Sequence, residues 1–191
     1  MAVDSSPIEV RLVRTSDEYA MVMAVRAAVF LGEEDNITYF DEFNGNDYVA
    51  SHLLALVNGD PAGVIRVRWF ANFALLERIA IRRRYRSYPP LAALARAAFE
   101  LCRQKGYRRV AGRARLETAK FWRRFGASQS GPPIEHFRGR MIPMIRDLAP
   151  SNTGTVPFGP FGDPEFESLI TQVEGKWRFS EQMPMHLAAA E

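Results

Sequence analysis

Residues 8–14 (IEVRLVR) alternate between apolar and polar, a period of two that predicts a β-strand. Thr15 and Glu18 then have the spacing of a capping box. A helical period follows through Tyr19, Val22, Met23, Arg26, Ala27 and Phe30 and stops near Gly32. Residues 33–47 are acidic and irregular, which predicts a loop with one short helical turn. Residues 51–57 (SHLLALV) and 63–70 (GVIRVRWF) are two further strands, joined by Asn58-Gly59, a dipeptide suited to the two-residue hairpin turn. In the second of them Val64, Arg66 and Arg68 alternate with Ile65, Val67 and Trp69, so one face is expected to be core. Residues 74–81 (ALLERIAI) extend the pair into a three-stranded meander.

The period then changes. Pro89-Pro90 opens a helix where a missing N–H costs little. Leu91, Leu94, Ala95, Ala98, Leu101 and Cys102 line one of its faces, and Gly106 suits the residue after its end. A strand at 107–114, a short helix at 118–125 stopped by Gly126, and a pair of strands at 134–138 and 141–147 complete the order β-α-β-β-β-α-β-α-β-β. This predicts an α/β fold, a mixed twisted β-sheet flanked by helices, over residues 1–148. Residues 149–163 are rich in Pro and Gly, and a short helix is expected at 164–175. Phe158, Phe161, Phe166, Leu169, Ile170, Trp177 and Phe179 make 149–191 a C-terminal extension expected to pack on the domain or on a second subunit, as in a homodimer.

Composition narrows the classes. The 191 residues are 47% hydrophobic and 25% charged, ordinary for a globular domain. The N-terminal dozen residues lack the apolar run of a signal peptide, and no stretch approaches the roughly 18 apolar residues of a membrane span. A cytoplasmic protein without a membrane partner is expected. One cysteine, Cys102, excludes a disulfide scaffold, and three scattered histidines suggest no metal site. The net charge of +3 hides a division: residues 77–124 hold 15 of the 25 basic residues and only 3 of the 22 acidic ones. A field of that sign attracts phosphate, from a nucleotide cofactor or from nucleic acid. Nucleic acid is the less favoured source, because no helix-turn-helix, zinc-finger or cold-shock pattern accompanies the arginines.

Several segments resemble the GNAT N-acetyltransferase superfamily. Glu77-Arg78-Ile79-Ala80-Ile81, followed by Arg82-Arg83-Arg84-Tyr85-Arg86, is similar to that family's fourth strand and the turn into its cofactor helix. Residues 118–127 (TAKFWRRFGA) resemble its A-x-x-F-Y-x-x-x-G-F segment, and 141–148 its last strand. Val25 to Phe30, Asp41, Asp47 and His52 resemble a bacterial subgroup of small acetyltransferases. The resemblance spans residues 8–148 and implies transfer of an acetyl group from acetyl-CoA to a primary amine of a small molecule or protein. Two departures stand out. The family's pyrophosphate turn is Arg/Gln-x-x-Gly-x-Gly/Ala, whereas this chain reads Arg86-Ser87-Tyr88-Pro89-Pro90-Leu91, without either glycine. Trp122 falls where many members have a tyrosine acting as general acid. Both departures support an alternative, a degenerate member that binds a ligand or protein partner without catalysis.

Under the leading reading the cofactor-binding candidates are Ile79 and Ile81, whose strand backbone would pair with the pantetheine arm, with Arg82, Arg84, Arg86 and Lys120 toward the phosphates and nucleotide. Arginine forks suit phosphate. The bland alternative for these is a solvated charged turn and helix edge. Glu77 is the first candidate base and His52 the second, and no metal is called for. A competing role for Glu77 is an ion pair with Arg66 or Arg68 across the hairpin. Tyr85 and Tyr88 are candidate acids in place of the absent tyrosine. Asp41, Glu42 and Asp47 could line a pocket for a cationic amine, or could be solvated. Cys102 reads as a buried small residue.

Overall fold

A computed structural model describes residues 7–34, 37–136 and 139–150. The first strand, β1 (Ile8–Leu12), leads into α1 (Ser16–Arg26) through the expected capping box: Thr15 accepts from the Glu18 N–H, and the Glu18 carboxylate accepts from the Thr15 N–H. The helix continues as a wider π turn over Ala27–Leu31. The acidic loop contains two helical turns, α2 (Tyr39–Glu42) and a 3-10 turn at Asn46–Val49, one more than its composition suggested.

The meander is β2 (Ser51–Val57), β3 (Asp60–Trp69) and β4 (Ala74–Ile81), all antiparallel. Asn58 and Gly59 both adopt positive φ, 52° and 80°, as a type I′ turn requires. The cofactor-helix candidate is α3 (Tyr88–Gln104), with Pro in its first turn. Gly106, at φ 83°, lets the chain reverse after it. Then follow β5 (Arg109–Arg115), α4 (Ala119–Arg124), β6 (Ser128–Gln129) and β7 (Met141–Asp147). The seven strands are ordered β1-β2-β3-β4-β5-β7-β6, and the β4–β5 pair is parallel. The expected order and class are those observed.

Two expectations need correction. Of the strand expected at 134–138, the described residues 134–136 contribute a single bridge, Ile134 to Met141, and the short strand that pairs with β7 on the side away from β5 is Ser128–Gln129. Pro132 and Pro133 lack ladder donors, so β6 does not continue through them to Ile134. The second correction concerns β3, which is core on both faces. Ile65 and Val67 meet α3 together with Leu53, Leu76, Leu94 and Leu101. Val64 meets α1 together with Val22, Val25, Phe30, Leu54 and Ala80. Arg66, on the α1 face, is 1% exposed. Close approach of the neighbouring strand β4 is why residue 63 is glycine: a Cβ there would lie 2.3 Å from Ile81 Cδ1 and 3.0 Å from the Ala80 carbonyl, with Leu94 Cδ1 of α3 at 3.3 Å. The helix expected at 164–175, and the extension beyond Pro150, lie outside the described residues.

Candidate functional site

The sheet opens in its middle. Only Ala74, Leu75 and Leu76 of β4 pair with β5, opposite Val110, Ala111 and Gly112. Beyond Leu76 and Gly112 the two parallel strands diverge. The β3–β4 register also slips between Val64 and Arg66, which places two β4 residues, Arg78 and Ile79, opposite Ile65. This is a β-bulge, and Arg78 takes φ 51° within it. A bulge bends its strand, and a non-glycine residue at positive φ is strained. Pairing and bulge together open a cleft of about 160 Å³, whose walls include Glu77, Ile79, Leu91, Arg113, Arg115 and Trp122.

The strain at Arg78 is held by a buried charge network. Arg78 ion-pairs with Glu42 at 3.0 Å and donates to the Asp41 carbonyl at 2.6 Å. Arg26, fully buried in α1, donates to the carboxylates of Glu42 and Asp47. Arg66 donates to Asp47 at 2.7 Å and to Glu77 Oε1 at 2.9 and 3.1 Å. Arg68 approaches the same Oε1 at 3.7 Å. Burial pushes the Asp47 pKa up, but the bonds from Arg26 and Arg66 outweigh it and hold it below the ordinary carboxylate value.

The network revises the reading of the acidic loop. Glu42 and Asp47 are not lining groups waiting for a cationic amine. They are buried and matched to arginines contributed by α1, β3 and β4. Asp41 is half-buried and caps α2 together with Thr38. The missed residues are Arg26 and Arg78, whose partners lie 16 and 36 positions away along the chain.

The candidates fall in different places. Glu77 and Ile79 line the cleft. Glu77 also makes the ion pairs with Arg66 and Arg68, all on Oε1. Ile81 is buried in the α3 core. His52 is 4% exposed on β2, two strands from β4, and its Nε2–H donates to the Asp47 carbonyl at 3.2 Å. Its Nδ1 is buried without a hydrogen-bond partner, and burial depresses its pKa below the ordinary value. Arg82 bonds both carboxylate oxygens of Asp60 at 3.0 Å, and Arg84 lies 3.8 Å from that group. Arg86 pairs with Glu33 at 2.5 Å and donates to the Ile81 carbonyl. Arg83 and Arg84 remain largely exposed, with side chains 80% and 69% accessible. Lys120 is exposed on α4. The Tyr85 hydroxyl donates to Asp60, which raises its pKa and makes it a weaker acid. Burial pushes the Cys102 thiol up to about 12, so it is inert.

No family model matches the chain. It is 25% identical over 122 residues to the uncharacterized protein YyaT of Bacillus subtilis, covering 62% of this chain and 82% of YyaT. Among solved structures it superposes on Escherichia coli ElaA with a TM-score of 0.66 at 21% identity, over 73% of this chain and 99% of ElaA. An acyl-CoA N-acyltransferase from Pseudomonas aeruginosa gives 0.64 at 18%, over 74% and 99%. A GNAT family acetyltransferase from Elizabethkingia anophelis, solved with acetyl-CoA bound, gives 0.56 at 12%, over 74% and 99%. The chain therefore has the GNAT acetyltransferase fold. Among the described residues no helix is long and apolar enough to cross a membrane.

Proposed function

We propose that the protein transfers an acyl group, acetyl in the first instance, from acyl-CoA to a primary amine of a small molecule or protein. The observation that carries this reading is the parting of β4 from β5 after Leu76 and Gly112. It leaves one edge of β4 without a strand partner beyond Leu76, where backbone N–H and C=O groups, the Ile81 carbonyl held by Arg86 aside, can pair with an extended arm. The first turn of α3 adjoins the cleft through Leu91. A helix N-terminus favours an anion, and Pro89 and Pro90 remove only the earliest donors. Exposed Arg84 adds positive charge before that helix, with Arg82, Arg86 and Lys120 as further phosphate contacts. The Elizabethkingia relative in fold, with its bound acetyl-CoA, supports the choice of ligand.

In this mechanism the ammonium form of the acceptor first loses a proton. Glu77 is the proposed base, acting directly or through water, because it lines the cleft and Oε2 takes none of the arginine bonds that occupy Oε1. The amine nitrogen attacks the thioester carbonyl carbon, the C–N bond forms and the C–S bond breaks. CoA leaves as thiolate and takes a proton from solvent. Trp122 lines the cleft but its indole N–H is too weak an acid to supply that proton. A thiol pKa near 8.5 makes the thiolate a tolerable leaving group without one. His52 stays outside this scheme, as a buried neutral support for Asp47.

The test follows thiol release from acetyl-CoA across a panel of primary amines. Turnover should fall by about 10²-fold in Glu77→Gln, a usual general-base contribution, while CoA affinity stays native. Full activity of Glu77→Gln from pH 6 to 9 would remove Glu77 as base. A second reading, a protein of this fold that binds without catalysis, is favoured by Trp122 and by the two prolines at the start of α3. CoA binding with no thiol release for any amine would select it.

A further inference from the structure

Glu77 and Arg113 are the first residues of β4 and β5 beyond their last pair, Leu76 and Gly112. They therefore flank the mouth of the cleft, and both line it. Side chains alternate along a strand. Leu76 and Val110 face the α3 core, and Ala114 faces α4. Glu77 and Arg113 thus project to the opposite face, the one that α1 covers only over β2, β3 and β4. On that face the other arginines are engaged. Arg66 and Arg68 contact Glu77, Arg78 contacts Glu42, and Arg115 contacts Glu34. Arg113 is exposed, and no carboxylate of the described residues lies within ion-pair distance of it. The acids that could have attracted a plain cationic amine, Glu42 and Asp47, are consumed by the buried network.

We infer that the acceptor is an amino acid, a zwitterion whose ammonium group meets Glu77 while its carboxylate is held by Arg113. This deepens the acyltransfer reading and rests on it. The opposed charges sit one on each strand at the point where the two part, the arrangement that a molecule with an amine and a carboxylate on neighbouring carbons complements. An unpaired guanidinium beside the base also disfavours polyamines, which carry positive charge and no carboxylate. A planar fork suits a carboxylate better than a lysine would. The carboxylate could belong instead to the acyl chain, and the two sources differ in which substrate responds.

The experiment uses matched probes on the full chain: L-phenylalanine and L-leucine, their amides, and the corresponding decarboxylated amines, each with acetyl-CoA. The amino acids should show kcat/KM about 10- to 100-fold above the amides and amines, the value of a charge-assisted pair. Arg113→Gln should bring that ratio close to one, through KM for the amino acid and not KM for acetyl-CoA. Arg113→Lys should restore part of it. Amides and amines used as well as the amino acids would overturn the inference. So would equal loss on all acceptors, or a preference for succinyl-CoA over acetyl-CoA that vanishes in Arg113→Gln. A binding arm needs no turnover: CoA-loaded protein titrated with N-acetyl-L-phenylalanine and with N-acetylphenethylamine should prefer the first, and indifference contradicts the proposal. Failure to load CoA at all would instead defeat the acyltransfer reading itself.

Discussion

Two groups of arginines meet at β4, and they do different work. Arg26, Arg66 and Arg78 are at most 6% exposed and are matched by Glu42, Asp47 and Glu77. They knit α1, the acidic loop and the β4 bulge into one unit. Arg83 and Arg84, in the turn after β4, are mostly in water, and Asp60 and Glu33 only partly offset the charge of that turn. The difference teaches that a high arginine count does not by itself mark a phosphate site. Removing a buried charge from water costs several kcal/mol unless a partner compensates, so the first group is architecture. The second group keeps its hydration and is free to exchange water for a ligand anion.

The largest effect expected from this contrast is at Asp47. Asp47→Ala leaves Arg26 and Arg66 short of a shared partner, and breaking a buried pair from one side costs about 3–5 kcal/mol. Arg84→Ala, in the exposed turn, should change stability by no more than about 0.5 kcal/mol. Urea unfolding of both variants checks this, and similar losses for the two would erase the distinction.

A smaller effect concerns pH. His52 is buried neutral, with a folded pKa depressed below its ordinary value near 6.5. The unfolded chain therefore binds the extra proton first. The contribution is fully present above about pH 6.5 and is lost as pH falls through that value toward the folded pKa. Asp47, also depressed, loses its contribution only at lower pH, below its ordinary range. The urea midpoint of the native protein should thus decline between pH 7.5 and 5, and His52→Gln should flatten that decline. An unchanged decline in the variant would mean that other groups cause it.

How much of this was legible in the sequence depends on how local each determinant is. The Asn58-Gly59 turn, the Thr15–Glu18 capping box and the proline start of α3 each involve residues within one turn of chain, and each stands as expected. The strand-helix-strand passage from β4 to β5 followed from the change of period. The ion pair of Arg66 with Glu77, weighed as an alternative from the hairpin register, is present, whereas its second acid, Asp47, lies 19 positions away on another element and has no local signal. The bulge at Arg78 has no local signature, since it arises from the mismatch between β3 and β4 and from Glu42 on another element. Strand β6, two residues long, is too short to display any period. In the candidate site Glu77 and Ile79 were placed by resemblance and do line the cleft, while Arg113 passed unnoticed as one more charge in a basic stretch.

The central claim is that the parted strands β4 and β5 form an acyl-CoA site. Calorimetric titration of the protein with CoA and with acetyl-CoA, repeated on Arg84→Ala/Arg86→Ala and at raised salt, tests it most directly. The account predicts one site per chain with submillimolar affinity. It also predicts clear weakening in the double variant and with salt, since exposed charge contacts are screened, and a much smaller change for a pantetheine fragment lacking the nucleotide. No heat of binding for either ligand with the folded native protein would contradict it.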